Sequence, residues 1–440
     1  MHKWMHKWQT LAMLLGVVLV SALLVPGTAA AAAKHTQRVN VSSAGAQADQ
    51  GVASNPPALS ANGRYVAFAS DATNLVSGDT NGFSDIFVRD LKLHTTTLVS
   101  VGPGGVQGNG DSYQPAISAD GRYVAFASDA SNLVSGDNNG LFSDVFVRDR
   151  KLHKTYLVSV TAGGVSGNGD SADPSISPNG RWVGFDSLAS DLVGTVTNAV
   201  QNSFVRDLKL RTTSLVSVGS AGAGNGESDL PVISANGRYV AFYSTASNLV
   251  AHDVNGVSDV FLRDRKTHRT SLLSVNSAGV QGNADSYGPS ISANGRWVAF
   301  ATDATNLQGK GIGHYTQVVV RDRKTHKTSL VSLDSGGARA EGDSDLPEIS
   351  ANGRWVAFQS LAILVSRDGN TAYDIYLRDR TRHRTVLVSV SSAGVQGIGD
   401  SVLAGISADG RYVGFQSDAA NLVPNDTNGL RDVFVRWPLH

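Results

Sequence analysis

The sequence predicts an all-β protein, a closed ring of seven four-stranded blades, and three observations carry that expectation. The motif Gly-Arg-(Tyr/Trp)-Val-(Ala/Gly)-Phe recurs at Gly63, Gly121, Gly180, Gly237, Gly295, Gly353 and Gly410, in steps of 57 to 59 residues. Self-similarity at a fixed period of this size marks a repeat architecture. Each repeat divides into four short apolar runs separated by Gly, Asn, Asp and Ser, which is all-β patterning. The two ends of the array are complementary fragments of one repeat.

In chain order, residues 1–33 come first and are unlike the rest. Lys3 and Lys7 precede an apolar stretch from Leu11 to Val25, and Ala29 to Ala33 follow. That three-part order predicts a cleaved signal peptide, hence a secreted or periplasmic protein. The apolar stretch is shorter than the ~20 residues a spanning helix needs, so no stable membrane insertion is expected. The chain has no cysteine, which excludes a disulfide framework and lipoprotein acylation. Basic and acidic residues number 37 each. No net charge draws the chain to nucleic acid, and a monomer is expected.

Residues 34–440 form the array. In the second repeat, Pro115–Ser118 is expected as the first strand, Asp120-Gly121 as a tight turn, and Arg122–Ala127 as the second strand. A longer loop leads to the third strand, Asp144–Arg148, and a polar turn to the fourth, Thr155–Val160. Val124 and Phe126 fall on one face of the second strand, Tyr123 and Ala125 on the other. Apolar residues on both faces require neighbours on both sides, which suits the blades of a propeller. After Gly410 only a third strand follows, Asp432–Arg436. The fourth-strand pattern of Thr328–Leu333 reappears near the start, at Thr36–Val41. The N-terminal segment is therefore expected to complete blade seven and close the ring.

The chain resembles the TolB-type (WD-like) β-propeller repeat family. Ile117-Ser-Ala-Asp-Gly-Arg-Tyr-Val-Ala-Phe126, Asn132-Leu-Val, Asp137-Asn-Asn-Gly and Asp144-Val-Phe-Val-Arg-Asp149 carry the resemblance, which spans residues 36–440. It implies the fold and is not specific for function. TolB corresponds only over its propeller part, having a further N-terminal domain.

In such a blade the two-to-three and four-to-one loops emerge on one face, and the tight turns on the other. The turn face carries Arg64, Arg122, Arg181, Arg238, Arg296, Arg354 and Arg411 besides Lys/Arg-rich three-to-four turns. It is either an anion-attracting surface or a solvated one. The opposite face is acidic. Asp111, Asp170, Glu227, Asp285, Asp343 and Asp400 recur just before the first strands and are expected to ring the channel mouth. They either collect a basic ligand or cap turns.

The two-to-three loops hold the sharpest chemical pattern. Asp79, Asn81 and Asp85; Asp137, Asn139 and Asp144; Asp253, Asn255 and Asp259; Asp368, Asn370 and Asp374; and Asp426, Asn428 and Asp432 each set oxygen groups around a glycine turn. Such groups fit a hard cation such as calcium, and they also fit plain Asx turns. Blades three and five lack the acidic set.

No nucleophile elbow, Walker loop or His-Glu-Xaa-Xaa-His occurs. His94, His153, His268, His326 and His383 hold one equivalent turn position in separate blades and cannot converge on a metal. The expected function is a secreted, non-catalytic, calcium-stabilised binding or scaffold propeller that presents its acidic face to a protein or polysaccharide. The alternatives are a carbohydrate-active lyase- or hydrolase-like enzyme with its site in the channel, and a TolB-like periplasmic envelope component.

Overall fold

Seven four-stranded antiparallel sheets follow one another along the chain; six are ordered as their strands occur in sequence, and the seventh takes its fourth strand from the N-terminal end. The computed structural model describes residues 33–140, 142–194, 196, 198–307 and 314–440. The expected export signal, apart from Ala33, lies outside the described residues. Blade two consists of Ser112–Ile117, Tyr123–Ser128, Asp144–Asp149 and Lys154–Leu157. The other blades repeat this plan, and all seven first strands line one central channel.

Blade seven combines Ser401–Ile406, Val413–Ser417 and Asp432–Trp437 with His35–Arg38 as its fourth strand. His35 stands opposite Trp437 and Arg38 opposite Phe434. The ring is thus closed by the N-terminal strand, as expected from the complementary ends.

The first strands differ from the sequence expectation. They begin three residues earlier, at Ser112 in blade two, and the register shifts between Tyr113 and Ala116. The inserted pair is Gln114-Pro115, with Gln114 at φ 53. Five other blades shift at the same place, across Asp173-Pro174, Leu230-Pro231, Gly288-Pro289, Leu346-Pro347 and Leu403-Ala404. Proline lacks an N–H, so it is tolerated at a bulge on the channel-side edge of the sheet. The proline that looked like a strand start is the bulge within a longer strand. The fourth strand is shorter than expected, ending at Leu157.

Both faces of the second strand are buried as the pattern required: Val124, Ala125 and Phe126 are all at 0% exposure. Within six of the seven sheets aromatic pairs stack across the ladder, as Phe126 does on Phe146 at 5.9 Å, and in blade five Phe300 stands opposite Val319. Between sheets, Ala125, Val145 and Val147 of blade two pack on Val183, Phe185 and Phe204 of blade three. The core is therefore a series of interfaces between blades.

The recurring motif supplies the tightest of these contacts. A Cβ placed on Gly121 would lie 2.2 Å from the ring of Tyr65, the aromatic of the preceding blade. The same contact joins Gly180 to Tyr123, Gly237 to Trp182, Gly295 to Tyr239, Gly353 to Trp297 and Gly410 to Trp355. Gly63 meets Tyr412, which completes the circle. All seven glycines also have positive φ, from 69° to 75°, where a side chain is strained. One residue type satisfies the turn and admits the neighbour's ring.

Two further sets of bonds encircle the molecule. The turn alanines form a belt in which Ala61 N–H donates to Ala119 O, Ala235 to Ala293, Ala293 to Ala351, Ala351 to Ala408, and Ala408 back to Ala61. Ala119 donates to Pro178, which cannot pass the bond on. On the outer side, a third-strand arginine ties six of the blades to the one before, and in blade three Arg206 holds Thr213, whose hydroxyl makes the crossing bond to Val160 O. Arg148 Nη1 donates to Thr155 Oγ1 at 3.0 Å and to Val101 O at 3.2 Å. In blade seven Arg436 makes the same clasp with Thr36 Oγ1 and Val390 O, at 2.6 and 2.9 Å. The closing strand thus carries its share of the repeat's polar framework.

Gly237→Ala is expected to destabilise the protein by about 2–4 kcal/mol, combining left-handed backbone strain with overpacking against Trp182. Gly256, also at positive φ but with nothing within 4 Å of its Cβ direction, isolates the strain alone, about 1–2 kcal/mol. Thermal or urea melting of the two alanine variants measures the difference. Equal losses would show that the aromatic contact carries nothing.

Candidate functional site

The two-to-three and four-to-one loops share a rim, because they bond one another across blade boundaries. The Asp111 carboxylate, just before blade two, accepts the backbone N–H of Ser84 in the blade-one loop at 2.8 Å. Asp170 does the same for Ser143, Asp285 for Ser258, Asp343 for Thr316 and Asp400 for Tyr373, at 2.8–2.9 Å. These five of the six expected channel-mouth carboxylates are inter-blade struts through one oxygen. Asp111, Asp170, Glu227 and Asp285 are exposed, and Asp343 and Asp400 are half-buried. No ion pair reaches any of the six among the described residues.

The five Asp-Xaa-Asn-Gly-type loops prove unequal. In each, the last aspartate begins the third strand and is fully buried, as Asp85, Asp144, Asp259, Asp374 and Asp432 are. In four blades its carboxylate accepts a hydroxyl from the segment just after the fourth strand: Ser100, Ser159, Ser274 and Ser389. In blade seven Asn40 takes the serine's place. The loop asparagine turns its amide nitrogen to the carboxylate in four of the loops, as Asn81 Nδ2 does to Asp85 Oδ2 at 2.8 Å. In blade six, Asn370 Nδ2 donates to Gly397 O.

A second donor closes four of the five loops. Gln281 Nε2 bridges Asp253 and Asp259, both at 2.8 Å, and Gln396 Nε2 bridges Asp368 and Asp374, both at 2.7 Å. Gln107 Nε2 reaches Asp79 at 3.2 Å. In blade seven the guanidinium of Arg38 lies between Asp426 and Asp432, at 3.0 and 3.2 Å. These latches come from the segment after the fourth strand, or from the closing strand itself, and the loop sequences do not announce them. Burial nonetheless raises the strand-start carboxyls, with Asp85, Asp259 and Asp374 at about 6. Blades three and five put amides there instead: Asn202 pairs with Asn198, and Gln317 accepts from Ser332.

The channel is a cavity of about 390 Å³ walled by the first strands of all seven blades. Its wall is mostly proline and branched aliphatics, including Pro115, Ile117, Pro174, Ile176, Pro231 and Ile233. Two carboxylates line it, Asp173 and Glu348. Glu348 bonds Ser290 Oγ at 2.9 Å, and burial pushes its carboxyl up to about 7. Asp173 stands within hydrogen-bonding reach of Asp186 on the second strand of the same blade. Burial raises both, and for Asp186 the neighbouring charges of Asp173 and Asp229 add to the shift. Asp229, at about 6, is bonded by Tyr243 and by Gln201, while Gln114 Nε2 donates to Asp173.

Sequence reasoning missed this group. A signal was present: the residue after the motif phenylalanine is Ala69, Ala127 or Ala301 in blades one, two and five, but Asp186, Tyr243, Gln359 and Gln416 in the others. A polar residue where the repeat asks for a small apolar one points at the channel side of a blade interface.

Six of the seven turn arginines are paired with aspartates. Arg64, Arg122, Arg181, Arg238, Arg296 and Arg354 pair with Asp90, Asp149, Asp207, Asp264, Asp322 and Asp379 at 2.6–2.7 Å. Their guanidinium groups also lie over the adjoining Tyr or Trp rings, at 4.4–4.8 Å. His94, His153, His268, His326 and His383 each take the left-handed position of a three-to-four turn, φ 53–56°, in five different blades. Among the described residues, no group of three or more His, Cys, Asp or Glu is placed to hold a metal.

No family model and no curated protein matches the chain. Among solved structures it is similar to a prolyl endopeptidase, at 13% identity and TM-score 0.54, over 89% of this chain and 50% of that one. It is also similar to a putative TolB from Agrobacterium tumefaciens, at 15% identity and TM-score 0.43, over 80% of this chain and 97% of that one. TolB from Acinetobacter baumannii gives 14% identity and TM-score 0.40, over 69% of this chain and 58% of that one. The chain thus spans about half to three-fifths of the length of two of these proteins. At such identities the likeness is one of fold. The fold is the propeller that the repeats predict. No helix among the described residues is long and apolar enough to cross a membrane.

The raised Glu348 carboxyl gives a pH prediction. A group held above its unfolded value of about 4.3 favours folding below that value and loses the advantage as pH rises to about 7. Glu348→Gln is therefore expected to raise stability at pH 8 by about 1–3 kcal/mol and to leave it nearly unchanged at pH 4. Chemical denaturation at the two pH values measures this, and an equal effect at both would refute the assignment.

Proposed function

We propose that the protein is a non-catalytic binding scaffold, exported from the cell, whose loop face receives a cationic region of a protein or polysaccharide partner. The observation that supports this reading most is the contrast between the two faces. Beyond six Arg–Asp pairs the turn face presents the lysines and arginines of its three-to-four turns, while Asp111, Asp170, Glu227, Asp285, Asp343 and Asp400 stand without ion pairs on the loop face. A rim of one sign over a low-dielectric wall focuses field and attracts ligands of the opposite sign. Rigid blades hold those charges in fixed positions, which limits the entropy lost on binding.

One observation favours a second reading. Asp173 and Asp186 face each other beside the channel with Asp229 nearby, and carboxyls whose environments differ can divide acid and base roles. That arrangement would suit hydrolysis or elimination on a polysaccharide threaded into the channel mouth.

Binding of an oligolysine peptide to the purified protein, followed against salt, tests the first reading. Affinity is expected to fall with ionic strength, and Asp170→Asn with Glu227→Gln and Asp285→Asn is expected to weaken it by about tenfold. Unchanged binding in the triple variant would defeat it. Reducing ends released from a polysaccharide by the protein, and not by Asp186→Asn, would establish the second reading instead.

A further inference from the structure

The cleft between the turns of blades two and three departs from the repeat at three positions. Arg150, Arg265, Arg323 and Arg380 follow the third strands of blades two, four, five and six. Each donates through Nη1 to a turn carbonyl of its own blade, those of Gly121, Gly237, Gly295 and Gly353. Arg150 and Arg323 also lie over the tyrosine of the preceding blade, Tyr65 and Tyr239, at 4.9 and 4.1 Å. In blade three this position is Leu208, whose N–H reaches Arg181 O as that of Arg150 reaches Arg122 O. Tyr123 of blade two therefore has one guanidinium over its ring among the described residues, that of Arg122 at 4.7 Å. Blade one also carries a leucine there, Leu91, but Trp437 stacks on the facing Tyr412 at 5.9 Å.

The other two departures lie in the same cleft. Tyr156 stands opposite Val147 in the blade-two ladder, a place held by Thr97, Ser214, Ser271, Ser329 and Val386 in other blades. Arg211 takes the left-handed turn position that is histidine in five blades. Both line a cavity of about 490 Å³ whose apolar wall includes Tyr123, Leu152, Leu157 and Leu208. Five of the lining side chains are cationic and one is anionic. Asp149, the anionic one, is held by Arg122 at 2.6 Å, and Arg181 is held by Asp207 at 2.7 Å. Arg206, Lys209 and Arg211 have no ion pair among the described residues. Arg206 is buried and donates to Thr213 Oγ1 at 2.9 Å. Burial and then the charge of Arg211 lower its guanidinium pKa. Like charges gathered at a partly desolvated wall are relieved by an anion.

We propose that this cleft binds a small aromatic carboxylate, its ring against Tyr123, Tyr156 and the leucines and its carboxylate at Arg211, Lys209 and Arg206. The cavity falls within the roughly 300–1,000 Å³ of small-molecule sites, and it pairs an apolar wall with a few polar groups, as such sites do. Two tyrosine rings favour a flat aromatic body over a flexible chain, because offset and edge-on ring contacts add to the area buried. A guanidinium fork takes a carboxylate through two parallel N–H bonds. In four sister blades the repeat's own arginine occupies the place that Leu208 leaves open. The cleft lies on the turn face, so the inference does not rest on what the acidic loop face binds.

Calorimetric titration of the purified full chain with sodium cinnamate tests it. One molecule per chain is expected, with a dissociation constant on the order of 0.1 mM for a ligand of this size. Leu208→Arg restores the side chain of the sister blades, so its melting temperature is expected to stay at or above that of the parent. It should nonetheless weaken binding about tenfold or more, because the new side chain covers Tyr123. Arg211→His, which restores the residue of five sister turns, should weaken cinnamate binding about fivefold or more and leave binding of uncharged cinnamyl alcohol unchanged. In the parent, cinnamyl alcohol should bind about tenfold more weakly than cinnamate. Three results would overturn the proposal: no saturable binding by the parent up to ~5 mM cinnamate, far above the expected constant; undiminished binding in the Leu208→Arg variant; or equal affinity for cinnamate and cinnamyl alcohol.

Discussion

An aromatic ring lying on the turn glycine of the next blade is the contact on which the rest of this molecule depends. It is made seven times, and because the last instance joins Tyr412 to Gly63, it is a property of the circle as well as of the repeat. The contact sets how far one blade rotates and translates relative to its neighbour. Everything that needs two blades in register inherits that setting: the belt of alanine backbone bonds, the Arg–Thr clasps, and the carboxylate struts on the opposite rim. A ring of seven equal steps leaves no slack, so an error in one interface must be absorbed by the others.

The buried polar groups are numerous for a β protein, and they are arranged by the same rule. Arg148, Asp144 and Thr155 each reach a partner on another strand or another blade. A buried polar atom left without a partner costs roughly 1–3 kcal/mol, so each of these groups penalises slippage in its own neighbourhood. Such bonds add modestly to net stability and strongly to uniqueness of register. This matters in an array whose repeats are similar enough to pair in wrong combinations.

Chemistry enters where a copy departs from the repeat. Asp186 replaces an alanine and brings a second carboxyl against Asp173. Glu348 takes a position that is Ala58, Ala116 or Gly405 elsewhere, and it puts a titratable group on an otherwise apolar wall. Leu208 replaces an arginine and clears the cleft beside Tyr123. The regular positions hold the scaffold and the irregular ones distinguish its sectors, so a seven-fold frame yields an asymmetric surface.

The sequence by itself determined the strand order, the number of blades and the closing role of the N-terminal segment, because period and alternation are local properties that burial on two faces imposes on every copy. It also put the two-to-three and four-to-one loops, with their aspartates, on a common face, since that follows from topology. Only the tertiary structure decided what those acids do. The partner of Asp111 is a backbone N–H in the preceding blade, and the partner of Asp253 is an amide 28 residues downstream. The five Asp-Xaa-Asn-Gly loops look alike in sequence, and the group that closes four of them comes from elsewhere in the chain. The bulged first strands were misread for a related reason: a proline marks the end of pairing in most strands, but here it sits at an edge that faces the channel and has no ladder to break. Side-chain satisfaction is settled between segments that are distant in sequence and adjacent in space, and no reading of one repeat could supply it.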